Sequence, residues 1–84
     1  MAVVRMYTVY VLKSELIGRL YIGFTRDIKD RLMRHNSGKV KSIKAYKPYL
    51  IVYQEKVDNS LKAREREKYL KSGKGRAFIK SILG

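Results

Sequence analysis

The chain has no cysteine and no tryptophan, one histidine, one proline and only seven acidic residues among 84. Each shortage removes a class of answers. Without cysteine there are no disulfides and no thiolate metal sites, which fits a reducing cytosol and sets the expected location as cytoplasmic. A lone imidazole without thiolate partners does not anchor zinc. No run is long and apolar enough to span a membrane. Ala2 to Val4 is too short for a secretory leader, and Arg5 interrupts it, so none is expected. Ser37-Gly38-Lys39 and Ser72-Gly73-Lys74-Gly75 do not complete a GxxxxGK[ST] phosphate loop. No nucleophile-elbow spacing supports a serine–histidine–carboxylate triad.

What is present is positive charge. Twenty Lys and Arg leave a formal net charge of +13, while 45% of residues are apolar, enough for residues 1–84 to be read as one folded domain. The excess is concentrated: residues 26–47 carry eight basic and two acidic side chains, and residues 62–80 repeat that balance. Such a field attracts polyanions through counterion release, so nucleic acid is the expected partner. No continuous basic amphipathic helix suggests a membrane surface, and no obligate protein partner is evident.

Tyr7 to Leu12 and Leu20 to Thr25 are β-branched and aromatic and read as two strands joined in an antiparallel hairpin. With the turn centred near Glu15–Leu16, Tyr10 and Tyr21 would stand opposite each other. Asp27 is the expected N-cap of a helix ending near Asn36-Ser37-Gly38, with Ile28 and Leu32 as its buried stripe. A basic loop over 39–47 leads to Pro48 and a third strand, Tyr49 to Gln54. Asn59 or Ser60 caps a second helix to about Ser72; Gly73 to Gly75 breaks it, and Arg76 to Leu83 forms a terminal helix.

Chemistry enters through a few side chains. Arg31 and His35 are four apart and stack at the edge of the Ile28–Leu32 stripe, where a guanidinium is held in an orientation suited to phosphate. Ala63, Glu67 and Leu70 share a helix face, so the Glu67 carboxylate points inward and must be paired with Arg or Lys, protonated or bound to metal. One carboxylate suits a single Mg²⁺ that keeps most of its waters, not a protein cage or a two-metal site. Tyr10 and Tyr21 are phenols that need cationic neighbours or metal-bound water to act near neutral pH. Gly23 is read as leaving room on the Tyr21 face for a phosphate to approach.

Thr8-Val9-Tyr10, then Tyr21-Ile22-Gly23 after ten intervening residues, Arg31-Leu32-Met33-Arg34-His35, and Arg66-Glu67-Lys68-Tyr69-Leu70-Lys71 together resemble the GIY-YIG nuclease domain. The resemblance runs from about Met6 to Ile82. It is greatest to small stand-alone bacterial members, related to the nuclease modules of the excinuclease and of homing endonucleases. It implies an α/β (α+β) fold in the order β-β-α-β-α-α, a three-stranded antiparallel sheet flanked by helices, with catalytic groups on one sheet face. It also implies a metal-dependent endonuclease that hydrolyses DNA with water and one divalent ion, Mg or Mn, of the kind used in DNA repair or recombination. By that resemblance Tyr10 and Tyr21 position or deprotonate the water, with Tyr21 the candidate general base. Arg31 stabilises developing charge, His35 assists proton transfer or contacts phosphate, and Glu67 ligates the metal.

Arg26, Lys39, Lys41, Lys44, Lys47, Lys71 and Lys74 are the candidate nucleic-acid contacts, on DNA that is branched or single-stranded. Thr8 stands where the family motif has glycine, and Phe24 follows the second motif where some members place Lys or Ser. The rival reading is a non-catalytic nucleic-acid-binding module that uses the same basic surface and stacks bases on tyrosine.

Overall fold

A computed structural model describes residues 6–37 and 48–83. Tyr7–Ser14 forms β1 and Leu20–Thr25 forms β2. The turn between them closes at Gly18, whose φ of 73° lies in the left-handed region that favours glycine. Its N–H donates to the Ser14 carbonyl at 2.8 Å. The strands pair antiparallel with Tyr10 opposite Gly23 and Leu12 opposite Tyr21. Tyr10 and Tyr21 therefore do not face each other as expected; the turn centres one residue later, and the pairing moves by two. Because side chains alternate with period two, both phenols stay on the same face.

Asp27 caps α1 (Ile28–Asn36) as expected, its carboxylate accepting from the Asp30 N–H at 3.1 Å. β3 (Tyr49–Val57) is longer than the apolar run suggested and pairs antiparallel with the other side of β1, giving the order β2-β1-β3. Asn59 caps α2 (Ser60–Lys71) through the Lys62 N–H at 2.8 Å. The chain then turns at Ser72, and α3 runs Gly73–Leu83. The expectation that Gly73 to Gly75 forms a break is corrected: these residues are the first turn of α3. Among the described residues the architecture is the three-stranded antiparallel sheet with three helices, in the order β-β-α-β-α-α.

As the central strand, β1 is buried on both faces. Val9 and Val11 pack against Ala63, Leu70 and Ile79 of α2 and α3. Tyr10 and Leu12 pack against Tyr49 and against Ile28 and Leu32 of α1. The sheet thus lies between α1 on one side and the α2–α3 pair on the other. Asn36 fastens α1 to the start of β3: its amide donates to the Tyr49 carbonyl at 3.1 Å and accepts from the Tyr49 N–H at 2.6 Å. Across the other face, Arg66 of α2 grips Glu55 of β3 with two hydrogen bonds, 2.5 and 3.2 Å, and Tyr53 donates to the same carboxylate at 2.8 Å. Burial opposes that charge, but the bonds from Arg66 and Tyr53 prevail and hold the Glu55 carboxyl below the ordinary carboxylate range.

Candidate active site

The free edge of β2 carries a cleft of about 310 Å³. Tyr10, Tyr21, Gly23 and Arg31 line it from the α1 side, and Glu67 and Lys71 of α2 reach it from the other. The expectation of one sheet face is corrected here, because the groups meet around the rim of an edge strand. Only an edge permits this: an interior strand would keep the two faces about one sheet thickness apart.

Gly23 has a different task from the one expected. A Cβ there would lie 2.7 Å from the Tyr10 hydroxyl and 3.0 Å from its Cζ, so the missing side chain makes room for the phenol opposite. Gly23→Ala is expected to cost ~1–3 kcal/mol of stability through overpacking. In a double-mutant cycle measured by denaturant unfolding, Tyr10→Phe should recover part of that loss. Strict additivity of the two changes would show that the hydroxyl is not what Gly23 accommodates.

Tyr10 is 1% exposed. Burial pushes its phenol up to about 12, with Arg31 pulling it down and Tyr21 and Glu67 pushing it further up. Tyr10 therefore keeps its proton at neutral pH; Tyr21 is half-buried and open to the cleft. Glu67 has an i,i+4 pairing with Lys71 at 3.8 Å. With the lysine side chain 53% exposed, such a pair contributes only ~0.3–0.5 kcal/mol, so it does not lock the carboxylate. Among the described residues no three His, Cys, Asp or Glu side chains gather as a metal cage. A single accessible carboxylate facing a cleft with space for water fits one Mg²⁺ that retains most of its hydration.

His35 is not in the cleft wall. It is 1% exposed, behind Tyr21, whose ring centroid is 4.7 Å away, with Tyr10 and Tyr49 at 6.3 and 5.9 Å. Neither ring nitrogen has a hydrogen-bond partner among the described residues. Direct phosphate contact is thus sterically closed to it. Burial, reinforced by Arg31, holds its pKa below the ordinary value, so the ring is neutral at pH 7. Folding then disfavours protonation: stability is fully present above the unfolded value of about 6.5 and falls as pH drops toward the lowered folded one. Thermal melts from ~pH 8 to ~pH 5 should show this decline for the native chain and a flatter profile for His35→Phe. Parallel profiles would remove the imidazole from the account. Glu55 enters only at lower pH, since its folded pKa is depressed.

The other expected contacts divide. Lys71 is at the cleft, and Lys74 is exposed on the first turn of α3 outside it. Arg26 is engaged with Tyr7, its Nε donating to the hydroxyl at 3.1 Å and its guanidinium 5.3 Å from the ring centroid. Lys39, Lys41, Lys44 and Lys47 lie outside the described residues. Arg64 escaped the sequence reading, although 64, 67 and 71 at i, i+3, i+7 mark one helix stripe.

The GIY-YIG catalytic domain model matches residues 6–80. The chain belongs to the GIY-YIG family. A UPF0213 protein of Staphylococcus saprophyticus is 35% identical over 75 residues, covering 88% of this chain and 90% of that one. Another, of Bacillus pumilus, is 42% identical over 59 residues, 69% of this chain and 59% of that protein. The solution NMR structure of a UPF0213 protein of Bacillus halodurans is similar, with a TM-score of 0.56 and 27% identity over 94% of this chain and 86% of that one. GIY-YIG domains are nuclease domains, hydrolases of phosphodiester bonds, and generally use a divalent metal. In this GIY-YIG chain the tyrosine of the first motif is the buried Tyr10, and the tyrosine and glycine of the second are Tyr21 and Gly23. No helix among the described residues is long and apolar enough to cross a membrane.

Proposed function

We propose that this protein is an endonuclease that hydrolyses DNA phosphodiester bonds with one divalent cation, Mg²⁺ or Mn²⁺, held through Glu67. The observation that carries the reading is the convergence of Tyr10, Tyr21, Arg31 and Glu67 on one cleft, from two strands and from helices on opposite sheet faces. Tyr21, open to the cleft, orients the attacking water and, in its phenolate form, is the base that takes the water's proton. Tyr10 holds its own proton and donates a hydrogen bond. Arg31 lies where a guanidinium can meet the charge that develops on the phosphate oxygens. His35 supports the Tyr21 ring from behind as a neutral, apolar-facing imidazole and does not touch phosphate. A cation bound at Glu67 supplies Lewis-acid neutralisation of the phosphate. Structure-selective action in repair or recombination belongs to the same reading.

Titration of Mg²⁺ and Mn²⁺ against flap, junction, duplex and single-stranded substrates tests it. Cleavage should require the cation and depend on substrate shape. Salt-sensitive binding with no turnover in either metal would instead identify a binding module. Arg31→Ala is expected to slow cleavage by ~10²–10³-fold, the usual value of one positioned donor aimed at developing charge. Undiminished rates would remove Arg31 from that role.

A further inference from the structure

The cleft is not isolated along β2. A second cleft, containing Phe24 and Arg64, adjoins it at the Thr25 end. A third, containing Leu20, Arg76 and Lys80, adjoins it at the other end. Phe24 and Leu20 also line the central cleft, so the three clefts follow one another along β2, beside α2 and α3, and together outline a groove. Arg64, Lys71, Arg76 and Lys80 are exposed along this groove, and Glu67 is the acid among its described lining residues. Elsewhere on α2, Arg66 is engaged with Glu55 and Lys62 with Asp58 at 3.4 Å, while Lys68 is exposed away from these clefts. Beside β2 positive charge is aligned, and among the described residues the long Lys71–Glu67 pairing is what offsets it.

We propose that this groove is the track of a single, unpaired nucleic-acid strand running along the β2 edge. Its phosphates on either side of the cleft are held by Arg64 at one end and by Arg76 and Lys80 at the other. The partner follows from chemistry. A row of cations that flanks a central cleft matches the repeating charge of a phosphate backbone, and half-buried Phe24 and Tyr21 offer rings to unpaired bases. A groove with a helix on one side and a strand edge on the other receives one chain more readily than a duplex. The proposal rests on the nuclease reading for what happens at the centre, while binding along the track does not need cleavage.

The test is equilibrium binding of a labelled oligothymidylate by the intact protein in chelator, over a range of salt. Arg76 is left unchanged because its Nε also donates to the Lys71 carbonyl at the end of α2, 3.1 Å away. Arg64→Gln and Lys80→Gln should each weaken binding and reduce the slope of log K against log salt by about 0.7, one phosphate contact apiece. Lys56→Gln, on the opposite edge strand, should leave the slope unchanged. A matched duplex should compete poorly. Equal slopes for Arg64→Gln, Lys80→Gln and the native chain would overturn the track, as would an equal loss from Lys56→Gln or duplex competing as well as single strand. Cleavage is read separately with metal. A native chain that binds along the track but never cuts leaves the track standing and refutes the nuclease. A chain that cuts, with unchanged slopes in both variants, does the reverse.

Discussion

Glutamine in place of Glu67 should yield a protein that binds DNA and does not cut it. The substitution keeps size and polarity but removes the negative charge that, on the proposed reading, would hold a divalent cation at the cleft. Glu67 packs on the same α2 face as buried Ala63 and Leu70, and its pairing with Lys71 is long and solvent-screened, so little stability is at stake. A bound cation supplies several kcal/mol of charge stabilisation in the transition state. At 1.36 kcal/mol per decade, that is a loss of ~10²–10³-fold or more in cleavage rate. Affinity for DNA in chelator should hold or rise, because a carboxylate facing phosphate has been neutralised. Single-turnover cleavage of one substrate, with binding measured in parallel, distinguishes this from misfolding. A Glu67→Gln protein that cuts at the native rate would show that the cation is held elsewhere or not used.

Gly75→Ala should be among the most destabilising single changes in the chain, although alanine is the better helix former. A Cβ at Gly75 would fall on the Tyr69 carbonyl and within 2.5 Å of the Leu70 Cα. Both are backbone atoms of α2, which cannot swing aside as a side chain can. Relief requires α3 to lift, and α3 carries Ile79 and Phe78 into the core beside Leu70 and Tyr53. Overpacking of this kind costs ~1–3 kcal/mol. Undocking Ile79, which is fully buried, adds a further ~1.5–3 kcal/mol. Gly73→Ala is the control, because a Cβ there meets nothing within 4 Å. It should be neutral or stabilising by up to ~1 kcal/mol, as helix propensity predicts. Urea unfolding of both variants decides the matter: equal stabilities would mean that the α2–α3 approach tolerates a methyl group.

Both predictions lie at places where local signals say little. On a helical wheel Glu67 shares a face with Ala63 and Leu70, and that much is legible from spacing. Its arrival at the same cleft as Arg31 is not, because α1 and α2 cover opposite faces of the sheet. The wheel also put Arg31 and His35 together at a core edge. It did not separate a cleft-lining guanidinium from an imidazole buried behind Tyr21, since that difference depends on how deeply β1, β2 and β3 draw the helix in. Gly75 read as a helix breaker from propensity alone, whereas close packing of two helices is what requires it.

The amino-acid sequence by itself determined the basic character, the three strands, the helix starts at Asp27 and at Asn59 or Ser60, the hairpin joining the first two strands and the two tyrosine motifs. These are local: capping bonds span three residues, a strand shows in its composition, and charge needs no fold. The tertiary structure decided the hairpin register, the burial of His35, the fit of Tyr10 over Gly23, and the choice of Arg66 by Glu55. It also decided that the catalytic candidates meet around an edge instead of on a face. Those outcomes depend on which residues far apart in the chain come into contact, and packing at near-crystalline density resolves them only when all the elements are in place.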